Sequence, residues 1–296
     1  MVITRPESLS FSAQDLPAMP PPRRLLMTSP AYFDVQYVIN PHMEGQIGRV
    51  DRAEAVQTWT ALHQMFSELD FPPDVVEAVV GLPDMVFCAN QTLPYLLPDG
   101  QKGVILSHMH ADQRKAEVPY FQQFFVQQGY QTTPLPETHQ TDLEGMGDAL
   151  WHPNRRLIWG GYGFRTDLRV YEWIAEFTQT PVIALALHDP EFYHLDTCMC
   201  LLDEETVLIY PPAFQPEGLD LIRALFPHVL EAPEAEARHL FAVNAFCPDQ
   251  KHVVIQQGCT STRNQLETRG FAVIEAETRE FIKAGGSVFC MKLAYW

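Results

Sequence analysis

Four stretches of this sequence carry residue types that can make and break bonds. Near the C-terminus, Ala284-Gly285-Gly286-Ser287-Val288-Phe289-Cys290 puts a thiol just after a glycine pair. Glycine lets a backbone come close to a ligand. A thiol becomes a nucleophile when an imidazole or a cation favours its ionised form; taken alone, the plainer reading is a buried structural cysteine. In Tyr193-His194-Leu195-Asp196-Thr197 an imidazole stands two residues from a carboxylate. On a strand both would point to one face, where Asp196 can steady the ring in its protonated form; an ordinary surface pair is the alternative. Glu144-Gly145-Met146-Gly147-Asp148 sets two acids on a glycine-rich turn, suited to binding a cation, to proton work, or simply to solvent. Gly161-Tyr162-Gly163-Phe164-Arg165-Thr166 offers a guanidinium on a flexible loop, matched to a carboxylate, but it is not a complete dinucleotide fingerprint. His108-x-His110 lacks a third ligand at a recognised spacing, and there is no CxxC pair, so no metal is expected.

The polar residues recur at regular distances. Asn40, Asn90, Glu144, His194, Asn244 and Cys290 are 50, 54, 50, 50 and 46 residues apart. Similar modules arranged around an axis would bring such residues together, although a chain of this length also offers chance spacings. The elements that would position them follow the same period. Apolar periodicity predicts helices over 51–68, 119–128, 170–177, 218–226 and 261–269, the second and last closed by Gly129 and Gly270. Short apolar runs predict strands at 24–29, 85–89, 104–107, 157–159, 182–187, 197–202, 207–210, 241–246 and 253–255, with 35–40 a strand or loop edge and 272–275 and 287–293 the last apolar stretches. Strands alternating with helices indicate an α/β architecture. The first 22 residues are proline-rich and read as a draped extension, leaving 23–296 as a single domain.

Composition narrows the function. The 296 residues hold 20 Lys and Arg against 37 Asp and Glu, a formal net charge of −17. There is no basic stripe of the kind that tracks a nucleic-acid backbone. No apolar run approaches the roughly 20 residues that span a bilayer, and the N-terminus lacks the apolar core of an export signal. The expectation is a cytoplasmic globule with six reduced cysteines. Cys198 and Cys200, at strand spacing, read as small core residues. Self-association into a homo-oligomer is left open.

Leu82-Pro83-Asp84-Met85-Val86-Phe87-Cys88-Ala89-Asn90, Glu144 to Asp148, His194 to Thr197 and Gly285-Gly286…Cys290 occur in the order seen in guanidine-modifying enzymes. Over 24–293 the chain resembles this pentein, or amidinotransferase, superfamily. Tyr37-Val38-Ile39-Asn40-Pro41 and Gly161 to Thr166 resemble its arginine dihydrolase branch. The resemblance implies a five-bladed, pseudo-symmetric α/β propeller of ββαβ modules around a central pocket. It implies Cys290 as nucleophile, His194 as general acid and base, and Glu144 and Asp196 as holders of the guanidinium. Arg114 and Arg165 match positions that hold the substrate's α-carboxylate; Asn40 and the Ala284 carbonyl match positions near its α-amino end. No cofactor is implied, and the partner is a small guanidino molecule such as L-arginine. The implied reaction passes through a covalent thiouronium. Dihydrolases take arginine to ornithine, carbon dioxide and two ammonia. Deiminases and dimethylarginine dimethylaminohydrolases stop at citrulline, and usually carry an acid where this chain has Asn90, which dihydrolases share. An amidinotransferase, or an inactive propeller serving as a binding scaffold, remain as alternatives.

Overall fold

Five small sheets, each served by a helix, account for the near-50-residue period. The computed structural model describes residues 1–139 and 141–296. The second module shows the pattern in full. Thr92–Leu96 and Lys102–Leu106 form an antiparallel hairpin, the helix Val118–Gln127 crosses over, and Gln131–Thr133 returns parallel to the second strand. The third module repeats this with Ala149–Trp151, Ile158–Tyr162, the helix Val170–Thr178 and Val182–Ala186. The fourth does so with Met199–Leu201, Thr206–Ile209, the helix Pro216–Leu225 and His228–Glu231. In the fifth, His252–Gln256 and Ala272–Ala276 flank the helix Thr260–Thr268, and the leading strand shrinks to one bridge, Phe246 to Val254. The first module borrows its leading strand from the far end of the chain. Leu293–Tyr295 pairs antiparallel with Arg24–Thr28, and Pro73–Val76 pairs parallel with Arg24–Thr28 after the helix Arg52–Glu68. This is an α/β architecture of five ββαβ modules, the arrangement that the resemblance implies.

The helices form because their apolar residues recur at three- and four-residue steps and bury one stripe. Val118–Gln127 buries Phe121 and Phe125, one turn apart, each adding about 1.5–3 kcal/mol of apolar burial. Val170–Thr178 buries Tyr171, Ile174 and Ala175, and Gln179, in the left-handed region, ends it. Arg52–Glu68 starts where the Asp51 carboxylate accepts from the amides of Ala53 and Glu54. Its buried face is Ala55, Leu62 and Phe66, so Ala53 and Val56, apolar by type, lie on the outer side.

Residues 1–22 lie along the third module. Val2–Ile3 adds a parallel strand to Val182–Ala186, the Met19 amide donates to Asn154 O, and the indole of Trp296 donates to Pro20 O. Among the described residues, no helix is long and apolar enough to cross a membrane.

Several expected strands are something else. The strand expected over 85–89 is absent, its first residues lying in the 3-10 turn Pro83–Val86, 35–40 takes the loop-edge alternative, and 241–246 keeps only its bridge at Phe246. The stretch 197–202 divides into the end of a helical turn, Leu195–Cys198, and the strand Met199–Leu201, so Cys198 and Cys200 do not share a strand face. In the last apolar stretch, 287–293, a strand begins only at Leu293. A short buried apolar run has the same composition whether it is extended or coiled into one turn, so periodicity alone cannot separate the two.

Candidate active site

Each module delivers one polar residue from just ahead of its leading strand or bridge. Asn90 stands two residues before the strand Thr92–Leu96, Glu144 five before Ala149–Trp151, and His194 five before Met199–Leu201. Asn244 stands two before the bridge at Phe246, and Cys290 three before Leu293–Tyr295. The first strands therefore aim these residues at a common centre. Asn40 arrives differently, from the long segment between Thr28 and the first helix. There it caps the 3-10 turn Pro41–Met43, and its Nδ2 donates to Ala284 O at 3.0 Å.

Close approach at the centre is bought with glycine. Gly145 has a positive φ of 50°, and a Cβ there would lie 2.5 Å from Thr92 O and 2.7 Å from Asn90 O. Gly285 has φ 87°, and a Cβ would lie 2.6 Å from Tyr193 Oη. That hydroxyl donates to Gly285 O at 2.7 Å, so the glycine pair before Cys290 packs directly on the residue before His194.

His194 caps the helical turn Leu195–Cys198 rather than lying on a strand, so Asp196 does not point along with it as strand spacing suggested. The ring is instead gripped from both sides. Nε2 lies 3.0 Å from Glu144 Oε2 and Nδ1 lies 3.0 Å from Asp148 Oδ2, with all three residues buried. Burial alone would push the imidazole down, but the Asp148 and Glu144 carboxylates overrule it and raise it to about 9. Both ring nitrogens then carry protons and donate. Asp148 is fixed in turn by the Leu195 amide at 3.0 Å and by the Thr166 hydroxyl at 2.7 Å. For Glu144, burial opposes ionisation, yet Arg165 and His194 hold its carboxyl well below the usual range. Asn90 Nδ2 lies 3.3 Å from His194 Nε2.

Cys290 faces Asp196. The thiol donates to Asp196 Oδ2 at 3.2 Å and receives the Asn244 Nδ2 donor at 3.1 Å. Asn244 is a bracket. Its Nδ2 also donates to Asp196 O at 2.9 Å, and its Oδ1 accepts from the amides of Ser287 at 3.0 Å and Cys290 at 3.3 Å. Burial, then the charge of Asp196, pushes the Cys290 thiol well up; burial also lifts Asp196, to about 6. Asp196 Oδ1 is buried and has no hydrogen-bond partner among the described residues, so one acceptor of the pair is unspent.

The two arginines differ. Arg165 lies over the Tyr193 ring, 4.9 Å from its centroid, with Nη1 3.3 Å from both Glu144 oxygens and Nη2 donating to Ile39 O at 2.6 Å. It borders a polar cavity of about 340 Å³ shared with His110, Asp142, Tyr162 and Thr166. Arg114 lies behind Asn90. Its donors go to Glu117, to Asn90 Oδ1 at 3.0 Å, and to the carbonyls of Asp84 and Phe87 at 3.1 and 3.0 Å. It fixes which way the Asn90 amide faces. His108 and His110 both reach Asp142, at 3.2 and 2.7 Å. An apolar cavity of about 90 Å³, lined by Met19, Trp151, Phe289 and Trp296 among others, holds none of these acids; the chemistry belongs on the polar side.

The centre thus gathers Cys290, His194, Glu144, Asp196, Asn40, Asn90, Arg165 and the Ala284 carbonyl. The sequence reading offered Asp148 only a general part in cation binding or proton work, and gave Asn244 no role. Both were legible as types, Asp148 as the second acid of the glycine-rich turn and Asn244 as a member of the 50-residue series, but only the fold pairs them with His194 and Cys290. The arrangement offers a thiol, an imidazolium held by two acids and a third acid at the thiol, all buried. These suit attack on a cationic carbon centre followed by proton delivery to a leaving nitrogen.

Comparison with known proteins gives the same direction. A family model described as N,N-dimethylarginine dimethylhydrolase, eukaryotic, matches residues 43–295. The chain is 38% identical over 275 residues to the bifunctional arginine dihydrolase/ornithine cyclodeaminase ArgZ of a Synechocystis strain, covering 91% of this chain and 37% of that protein. It therefore spans little more than a third of that relative's length. It is 36% identical over 274 residues to the N(G),N(G)-dimethylarginine dimethylaminohydrolase of Mycobacterium tuberculosis, covering 93% of this chain and 86% of that one. The crystal structure of the N-terminal domain of ArgZ bound to substrate, an arginine dihydrolase from cyanobacteria, superposes with a TM-score of 0.84 at 37% identity, covering 92% of this chain and 97% of that one.

Proposed function

Because the chain belongs to the guanidine-modifying pentein superfamily, in its arginine dihydrolase branch, we propose that it hydrolyses the guanidinium group of L-arginine, giving ornithine, carbon dioxide and two ammonia. The observation that carries this reading is the Cys290–Asp196 contact of 3.2 Å beside an imidazolium held by two acids. A guanidinium is resonance-stabilised and a poor electrophile, so it needs a strong nucleophile and a charge-matched cradle. Asp196 and Glu144 are that cradle. A cation arriving beside Asp196 favours ionisation of Cys290, whose thiol burial otherwise keeps protonated. The thiolate attacks the guanidinium carbon, and His194 gives its proton to the departing ammonia. That leaves a thiouronium on Cys290. The neutral imidazole then takes a proton from water as the oxygen adds, and the C–S bond breaks to give citrulline. In a second round Cys290 attacks the ureido carbon, a second ammonia leaves, and water releases a carbamate that decomposes to ornithine and carbon dioxide.

Arg165, at the edge of the polar cavity, holds the α-carboxylate, and Asn40 with the Ala284 carbonyl receives the α-amino end. In this reading Arg114 acts through Asn90 rather than on the carboxylate, because its donors are engaged behind that amide. Asn90, a neutral group beside His194, accommodates the citrulline-like intermediate as it turns for its second attack. Residues 23–296 act as one catalytic domain with 1–22 as its extension. Free thiols at all six cysteines suit a cytoplasmic setting.

The test is incubation with L-arginine, with ammonia, citrulline and ornithine measured together. Two ammonia per ornithine is the expected result; one ammonia per citrulline indicates a deiminase, and neither product overturns both readings. The family match over 43–295 favours one second reading, hydrolysis of N-methylated arginines. Release of dimethylamine from dimethylarginine, faster than ammonia from arginine, would establish it.

A further inference from the structure

Asn244 is the one member of the periodic series to which the mechanism above gives no step. It is fully buried, and the segment that carries Cys290 is fastened to it. Its main-chain oxygen accepts from the Phe289 amide at 3.0 Å, and its Oδ1 accepts from the amides of Ser287 at 3.0 Å and Cys290 at 3.3 Å. Two N–H groups converge on Oδ1, so the side-chain amide has one orientation: turned over, it would set its own donors against theirs. Nδ2 therefore points the other way. It donates to Asp196 O at 2.9 Å and to Cys290 Sγ at 3.1 Å, one partner for each of its hydrogens. Asn244 is thus in contact with the atom that reacts, and its direction is set by backbone rather than by mobile side chains. The ionisable groups that face Cys290 are Asp196, which accepts from Sγ at 3.2 Å, Tyr193, whose hydroxyl is spent on Gly285 O, and Lys292. Burial and Asp196 favour the thiol, and the Asn244 donor opposes them.

We propose that Asn244 is a catalytic residue, whose Nδ2 donates to Cys290 Sγ and holds the sulfur as a thiolate before it attacks and again when it leaves. On ionisation the proton passes from Sγ to Asp196 Oδ2 and the electron pair stays on sulfur. A hydrogen bond to the charged sulfur is stronger than one to the neutral thiol, so the donor favours the ionised form. It loosens while that pair is shared in the C–S bond, and tightens when the bond breaks and the pair returns to sulfur. This inference deepens the arginine-hydrolase reading and rests on it for the carbon that is attacked; the contact with sulfur does not depend on it.

The experiment compares wild type, Asn244→Leu and Asn244→Asp. Leucine keeps the volume and removes the donor without adding charge; aspartate keeps an acceptor for the Ser287 and Cys290 amides. Ammonia release at saturating arginine is followed over roughly pH 5.5 to 9.5, and iodoacetamide alkylation of the Cys290 peptide is followed without arginine. In both variants the acid limb of kcat moves up by about one pH unit, and alkylation near about pH 8 slows by about tenfold. An unmoved limb, a uniform loss at every pH, or a shift in Asn244→Asp alone, which its added charge explains, overturns the proposal and leaves the assigned reaction standing. No ammonia from wild type refutes the reaction instead, and alkylation still decides the role of Asn244. If Asn244→Leu does not fold, the side-chain amide protons of Asn244 in wild type decide by NMR. They titrate together with Cys290, and lose that titration in Cys290→Ala, if the donor faces the ionising sulfur; no titration in wild type overturns the proposal.

Discussion

Replacing Asp148 with asparagine keeps the side chain's shape and removes its charge. The carboxylate now serves the His194 ring at 3.0 Å, the Leu195 amide at 3.0 Å and the Thr166 hydroxyl at 2.7 Å. Three donors converge on it, and an amide has one acceptor oxygen to offer them. His194 is raised from 6.5 to about 9 against a burial penalty, with Asp148 the larger of its two acidic partners. That rise corresponds to roughly 3 kcal/mol in favour of the imidazolium. Without Asp148 the midpoint should fall by about two units, so that at pH 8 the protonated fraction drops from roughly nine-tenths to about one-tenth. The tautomer and ring orientation are also released, and a misplaced general acid costs about 10²–10⁴ in rate. Ammonia release across pH 6–10 measures both effects. We expect kcat to fall by at least about 100-fold, with the alkaline limb displaced to lower pH. Stability carries the same sign. A group whose folded pKa is raised adds stability that is complete below 6.5 and is lost as pH rises through about 9. Asp148→Asn should therefore flatten the decline in Tm over that window. A variant that folds, keeps kcat within about threefold and retains the wild-type alkaline limb would refute the assignment of His194 as the acid.

Other positions give equally direct expectations. A Cβ at Gly147 would strike Asn90 Nδ2 and lie 3.3 Å from His194 Nδ1, so Gly147→Ala should lower arginine turnover by about 10-fold or more with a small change in Tm; unchanged turnover means Asn90 is not held for catalysis. Asn90→Asp places a charge beside the Arg114 donor and His194. It should raise the citrulline-to-ornithine ratio in product analysis, and a constant ratio removes Asn90 from the second hydrolytic round. Trp159 is fully buried, stacks on Phe226 and donates to His152 Nδ1 at 3.1 Å. Trp159→Ala should cost about 3–5 kcal/mol in denaturant unfolding; a loss under about 1 kcal/mol would mean the third module closes the cavity.

The periodic residues were the most legible part of the site. Their spacing survives because all but Asn40 sit two to five residues ahead of a module's leading strand or bridge, and helices long enough to show a 3.6-residue stripe fix the module length. The leading strands were harder. Ala149–Trp151, Met199–Leu201 and Leu293–Tyr295 are three residues each, too short for alternation to register. The fifth module has lost its leading strand to a single bridge. The acids that hold His194 were visible only as types. Their pairing depends on helical turns, Gly145–Asp148 and Leu195–Cys198, packing side by side, and nothing local encodes that. Arg114 shows the converse. The resemblance matched it to a position that holds the substrate's α-carboxylate, but a buried guanidinium with five donors is as well suited to pinning backbone carbonyls and an asparagine.

Covalent attack by Cys290 can be observed directly. Acid quenching during arginine turnover, followed by intact-mass and peptide mass spectrometry, should reveal an adduct of arginine less ammonia on the peptide bearing Cys290. Cys290→Ala should lack it, even though Asp196 and Glu144 remain to bind arginine. Steady ammonia release with no adduct, or an adduct on any of the other five cysteines, would contradict the assignment.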